Sequence, residues 1–167
     1  NQSTKPIDGI CASARWSLSG VTVAGGKGSG SDLDQLYLSD GLFVDANSTV
    51  YAVDSGNNRI VKWISGAASG YLVAGGNKDG NSTDQLSYPI DMIIDKNGTM
   101  YITDFNNQRV QKWTEGATSG ETILGNLNFI GIWQDDEESL YTSDWTYNQV
   151  RKWRKNATVG QVLSFGL

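Results

Sequence analysis

The chain repeats itself every 50 residues. Gly20 to Trp63 aligns with Gly70 to Trp113 without a gap, and 18 of the 44 positions are identical. The shared frame reads V-A-G-G, then D-Q-L, then D-x-N-x-T-x-Y-x-x-D-x-x-N-x-R-x-x-K-W. A third copy, Gly120 to Trp153, is ten residues shorter because the D-Q-L segment is missing between Leu124 and Ile130. Such a period means stacked copies of one supersecondary unit, none of which can bury its apolar face alone.

Each copy holds four short apolar runs separated by turn chemistry. In the first copy they are Gly41–Asp45, Thr49–Asp54, Arg59–Trp63 and Tyr71–Ala74. The turns between them, Ala46–Ser48 and Ser55–Asn58, are rich in residues that tolerate positive φ. Arg59–Trp63 alternates polar and apolar, as a half-buried strand does. The second copy places strands at Asp91–Asp95, Thr99–Asp104, Arg109–Trp113 and Glu121–Leu124. The third places them at Ile130–Gln134, Ser139–Asp144, Gln149–Trp153 and Gln161–Phe165. Four antiparallel strands per copy predict an all-β fold, with each copy a blade of a β-propeller. A linear β-solenoid fits less well, since its coils are shorter and its strands parallel. The expected layout is one partial propeller over 1–167: an N-terminal segment 1–19, a closing strand and loop 20–40, and blades at 41–74, 91–124 and 130–166.

Val21–Ala24 matches the fourth strand of a blade, Tyr71–Ala74, yet no three partner strands precede it. The sequence therefore predicts three blades plus one closing strand. Open blade faces and edges are association-prone, so ring closure is expected from a missing C-terminal half or from another chain. The missing half is the favoured expectation, because a dimer of two halves leaves one fourth strand per chain in excess.

The run Y-x-x-D-x-x-N-x-R-[IV]-x-K-W, at Tyr51–Trp63 and Tyr101–Trp113, resembles the NHL repeat, as does P-x-x-[IM]-[IV]-x-D at Pro89–Asp95. The linking pattern G-A-x-S-G-x-x-V-A-G-G…D-Q-L is similar to that of NHL-type propellers of extracellular invertebrate proteins. The resemblance runs from about Gly20 to Gly166. It implies a six-bladed propeller with a central channel, of which this chain is the N-terminal half. There are departures from the family pattern. Asn58, Gln108 and Asn148 stand where the family carries His, and Gln149 replaces the Arg in the third copy. Ser39 stands where Pro89 stands in the second. The third blade is expected to pair differently with its neighbour.

Composition excludes several functions. The 167 residues carry a formal net charge of −5, which argues against nucleic acid and against anionic membrane surfaces. No apolar run approaches the length of a transmembrane helix. Histidine is absent, which removes His-based acid–base chemistry, His-dependent triads and the commonest zinc sites. No catalytic residue, cofactor site or metal site is expected. Cys11 is the single cysteine, so no internal disulfide can form and any partner thiol lies elsewhere. The chain begins at Asn1 rather than Met, which reads as a processed or trimmed start.

The polar sets Asp54, Asn57, Arg59 and Asp104, Asn107, Arg109 recur in register. A ligand site usually differs between blades, so these read as turns held by Asx bonds with Arg paired to a carboxylate. Trp63, Trp113 and Trp153 recur too and read as packing between blades. Trp133 and Trp145 break the repeat; with Tyr147 they are the candidate ligand-stacking residues. The acidic run Asp135–Glu138 reads as a solvated turn rather than a cation site, and Asn77–Asp84 as a loop. Sequons stand at Asn1, Asn47, Asn81, Asn97 and Asn156, all glycosylation candidates.

These observations favour a secreted, N-glycosylated, non-catalytic NHL-type propeller serving as an interaction or structural module with a protein or glycan partner. Three alternatives stand beside it. One is a carbohydrate- or peptide-binding module. Another is half of a propeller lyase or hydrolase whose site lies in a missing half. The last is a self-assembling, filament-forming subunit.

Overall fold

The structure, a computed structural model, describes residues 15–157 and 159–163. Asn1, Cys11 and Phe165 lie outside the described residues. Twelve described strands form three four-stranded antiparallel sheets, each in sequence order. The first holds β1 (Ser39–Val44), β2 (Val50–Asp54), β3 (Arg59–Trp63) and β4 (Tyr71–Gly75). The second holds β5 (Pro89–Ile94), β6 (Met100–Asp104), β7 (Arg109–Trp113) and β8 (Glu121–Gly125). The third holds β9 (Phe129–Gln134), β10 (Leu140–Asp144), β11 (Gln149–Trp153) and β12 (Gln161–Val162). The inner strands start up to two residues earlier than the apolar runs. Ser39 and Pro89 already pair with Asp54 and Asp104 before a bulge carries the strand on to Leu42 and Met92.

The repeat is visible in the register. Val50 faces Trp63 and Asp54 faces Arg59; Met100 faces Trp113 and Asp104 faces Arg109. The tight turn that follows needs a left-handed residue, and Asn58, Gln108 and Asn148 supply it at φ 55°, 53° and 50°. At the other end of each sheet an aspartate organises the turn between the first two strands. Asp45 Oδ1 accepts the N–H groups of Asn47 and Thr49; Asp95 and Asp135 do the same in the next copies.

The sheets stack face to face. The first sheet offers Tyr51, Val53 and Ile60 to Met92, Met100, Ile102 and Trp113 of the second. The second offers Tyr101 and Val110 to Ile132, Leu140 and Trp153 of the third. As the sequence predicts, the recurring tryptophans are buried packing groups. Each lies against a glycine, at Gly70, Gly120 and Gly160, where an added Cβ would come within 3 Å of the indole.

Residues 21–24, expected as a closing strand whose partners lie outside this sequence, pair with no strand among the described residues. They lie instead against the first sheet, with Ala24 and Leu36 packed on Ala52, Val61 and Trp63.

A buried ion pair fastens each long connection to the sheet that follows it. Arg59 Nε donates to Asp54 Oδ2 at 2.7 Å, and its other nitrogens donate to the carbonyls of Ser31, Asp32 and Gln35. Asp54 Oδ1 also accepts the Tyr37 N–H at 2.7 Å, and Asn57 bridges the carboxylate to the Gly30 carbonyl. The second copy reproduces this set with Asp104, Asn107 and Arg109 holding Gly80, Asn81, Ser82, Gln85 and Ser87. The third does not. Gln149 replaces the arginine, the connection is short, and Asp144 Oδ2 is buried without a hydrogen-bond partner. Asp144 Oδ1 accepts the Thr146 and Tyr147 N–H groups instead.

Removing one partner of a buried pair strands the other, at a cost of about 3–5 kcal/mol. Arg109→Met should therefore lower unfolding stability by that order, read from the urea midpoint, whereas Lys112→Met on the same strand should change it little. An equal effect of the two substitutions would refute the clamp.

Candidate ligand groove between the first two sheets

Each sheet has two ends. The β1–β2 and β3–β4 turns and their equivalents crowd one end, the turn face. The β2–β3 turns and the long connections crowd the other, the loop face. A cavity of about 800 Å³ opens on the turn face between the first and second sheets. Tyr51, Tyr71, Val73, Ile94 and Met100 form its apolar lining; Asp45, Lys62, Asp95, Lys96 and Glu115 supply its charges. Lys62 Nζ stands 5.4 Å from the centroid of the Tyr51 ring, a cation–π geometry. The size and the apolar lining with a few polar groups match a small-molecule or side-chain pocket.

The corresponding junction between the second and third sheets is bridged, and the difference lies in three positions. Lys96 Nζ on the second sheet's turn reaches Glu138 Oε1 on the third at 2.9 Å, and Lys155 also binds Glu138. The residues at these positions around the first junction are Ala46, Gly98 and Glu115. Alanine and glycine cannot form the bridge, so nothing ties the two turns together above Tyr51 and Tyr71. Hydrogen bonds from Lys155 and Lys96, with their charges, hold the Glu138 carboxyl down to about 2.

The acidic run is thereby accounted for as structure. Asp135 Oδ1 caps its turn, and Oδ2 accepts from Tyr141 at 2.9 Å and Lys152 at 3.0 Å. Burial pushes the Asp135 carboxyl up, but those donors and the Ser139 N–H outweigh it and hold it down to about 2. Among the described residues no group of three or more Cys, Asp or Glu side chains is placed to hold a metal ion.

The three predicted stacking residues do not form one site. Trp133 lies near the turn face, its ring centroid 5.6 Å from that of Tyr141, and helps line a cleft of about 350 Å³ with Phe43, Ile93, Lys96 and Asp136. Trp145 and Tyr147 stand on the β10–β11 turn at the loop face, where Trp145 borders a separate cleft with Ser143, Asn148 and Val150. The four sequon asparagines among the described residues, Asn47, Asn81, Asn97 and Asn156, are all exposed. Asn47, Asn97 and Asn156 sit on turn-face turns and Asn81 on a loop-face connection; Asn47 also lines the groove. The groove is hidden in the sequence because its Tyr51 and Lys62 belong to the recurring frame, with Tyr101 and Lys112 at the same positions of the second copy. The available signal was the change from Ala46 to Lys96 and from Gly98 to Glu138 between successive turns.

No protein-family profile matches the chain, and no curated protein matches it. Solved structures resemble its fold. A chain of a nidogen–laminin complex matches with TM-score 0.62 at 19% identity, over 76% of this chain and 48% of that one. A gluconolactonase from Xanthomonas campestris matches with TM-score 0.62 at 9% identity, over 79% and 49%. Virginiamycin B lyase from Staphylococcus aureus matches with TM-score 0.57 at 12% identity, over 77% and 42%. The chain thus spans half or less of the length of each. These neighbours are β-propellers, and the three stacked sheets are a partial β-propeller. At such identities the likeness is one of fold alone.

Glu138 gives a pH signature to its two ion pairs, with Lys155 in the third sheet and with Lys96 across the junction. Its carboxyl falls from 4.5 to about 2 in the folded chain, so its contribution is complete above about pH 4.5 and is lost as pH drops towards 2. Glu138→Gln should flatten that part of the acid limb of a stability–pH curve measured by urea unfolding. An unchanged acid limb would show that these ion pairs contribute nothing.

Proposed function

We propose that this chain is a non-catalytic, extracellular binding module of NHL type, and that its groove on the turn face takes an apolar group from a protein or glycan partner. The observation that carries the reading is the open junction between the first two sheets. The bridge that ties the next junction is replaced there by Ala46 and Gly98, leaving Tyr51 and Tyr71 around a cavity of about 800 Å³. Two tyrosines and a Lys62 ammonium offer both stacking and charge, a combination suited to a ring or a side chain carrying a polar head. The non-catalytic part of the reading rests on the sequence, which holds no histidine to move protons near neutral pH. The extracellular part rests on the exposed sequons.

The binding reading is tested by screening a peptide-display library and a glycan array against the wild-type chain. Ligands recovered should lose at least about tenfold in affinity on Tyr71→Ala or Lys62→Ala, the order expected for a buried aromatic or charged contact. They should keep it on Trp145→Ala, at the opposite end of the sheets. Binding that depends on Trp145 and ignores Tyr71 would place the site on the loop face and overturn the proposal.

The secreted reading is tested by intact mass before and after peptide N-glycosidase treatment of protein from a eukaryotic secretory host. Glycan on at least one of Asn47, Asn97 and Asn156 is expected, and its complete absence would count against it. Asn47→Gln enters the binding assay as well, since a glycan there lies across the groove.

A further inference from the structure

We infer that the groove between the first two sheets takes a neutral sugar ring, held by hydrogen bonds to Asp45, Tyr51 and Lys62 with one face against Tyr71. The inference rests on the binding role proposed for that groove and names the ligand class that fits it. Both walls of the groove lie among the described residues, so it does not turn on what precedes or follows them.

Every copy carries an aspartate, a tyrosine and a lysine at the same turn-face positions: Asp45, Tyr51 and Lys62; Asp95, Tyr101 and Lys112; Asp135, Tyr141 and Lys152. The third copy shows what these groups do when they meet. Asp135 Oδ2 accepts from the Tyr141 hydroxyl at 2.9 Å and from Lys152 Nζ at 3.0 Å, while Nζ stands 5.1 Å from the Tyr141 ring centroid. In the second copy Tyr101 reaches Asp95 Oδ2 at 3.5 Å, and Lys112 turns to Glu121 at 4.0 Å. In the first copy Asp45 bonds only within its own turn, to the N–H groups of Asn47 and Thr49. Neither the Tyr51 hydroxyl nor Lys62 Nζ has a hydrogen-bond partner among the described residues; Lys62 only stands over the Tyr51 ring.

For Lys62 the cause lies across the strand pair. Lys112 faces Glu121 in the register of β7 and β8, whereas Lys62 faces Tyr71 in that of β3 and β4. An aromatic ring thus stands where the second sheet offers a carboxylate. Tyr71 is 57% exposed, but Tyr51 is only 9% exposed, with its ring packed in the junction and lining the groove. A largely buried polar side chain that opens on a cavity and finds no partner inside the protein leaves a hydrogen bond for a ligand to make.

Charge selects a neutral ligand. Among the lining charges Lys96 is held by Glu138 across the second junction. Lys62 is left among Asp45, Asp95 and Glu115, a balance that turns anions away. The Thr49 N–H outweighs burial and, with the Asn47 N–H, the Thr49 hydroxyl and the Lys62 charge, holds the Asp45 carboxyl below its usual range, so it is an acceptor at neutral pH. A cation fares no better, since Lys62 already occupies the Tyr51 ring face at 5.4 Å. What remains is an ammonium that only donates, carboxylates that only accept and a phenol that does both. Sugar hydroxyls each donate and accept, and neighbouring hydroxyls on one ring meet such a mixed set together. An apolar peptide side chain would leave all three groups unpaired. The C–H face of the sugar then lies on Tyr71, the aromatic that the groove leaves exposed.

The test uses the chain from a bacterial host, where Asn47 carries no sugar. It is applied to an array of neutral hexose and N-acetylhexosamine oligosaccharides with their sialylated and sulfated counterparts. Neutral glycans should bind, and sialic acid or sulfate on the bound residue should weaken them. Tyr51→Phe removes one oxygen and keeps the packed ring. It should lower affinity about tenfold, the worth of one hydrogen bond, and leave the urea midpoint unchanged. Tyr141→Phe should do the reverse, lowering the midpoint through loss of its bond to Asp135 and leaving affinity unchanged. Binding of acidic glycans alone, or glycan binding indifferent to Tyr51→Phe, would overturn the inference. Peptide ligands that need Tyr71 and ignore Tyr51→Phe would overturn it while keeping the broader reading of the groove. Ligands that need Trp145 instead, or no ligand of either kind, would overturn both.

Discussion

A guanidinium buried against a carboxylate, at Arg59 with Asp54 and again at Arg109 with Asp104, fastens the connection that enters each of the first two sheets. The pair is costly to remove from water and is tolerated because both remaining guanidinium nitrogens donate to carbonyls. Those carbonyls belong to the connection entering the sheet, so the ion pair fixes where that connection lies. Leu36 and Leu86 are carried by the same connections and pack into the apolar clusters of the first and second sheets. One electrostatic contact thereby sets the positions of apolar groups that fill the junctions.

The third copy shows what happens without it. Gln149 replaces the arginine and the connection shortens by ten residues. Asp144 keeps its place but leaves one oxygen unpaired. The junction is instead tied at the opposite end of the sheets by Lys96 on Glu138, a carboxylate that Lys155 of the same sheet also holds. The two junctions of this chain are thus alike in core and different in fastening. The groove with a binding character opens where the turn-face bridge is missing.

Most of the fold was legible because the repeat speaks three times. The strand order, the turns at Asp45 and Asn58, the buried tryptophans and the Asp–Arg pair all follow from positions that recur. Residues 21–24 carry the apolar alternation of a strand and pair with none among the described residues, and the sequence holds no partner strands for them. The candidate site was hardly legible at all. Trp133 and Trp145 attract notice by breaking the frame, yet they lie near opposite ends of the third sheet. The groove is made by two small residues, Ala46 and Gly98, whose importance lies in what they fail to reach.

The unequal fastening has a consequence for how this body comes apart. Burial of apolar surface holds the first junction, and that driving force weakens on cooling. The exposed bridge that reinforces the second is screened by salt over distances of about 8–10 Å at ordinary ionic strength. Stacked repeats are held by nearest-neighbour terms, so each junction opens on its own account. Cold therefore loosens both junctions through their apolar clusters, whereas salt acts only on the bridge that the second one carries.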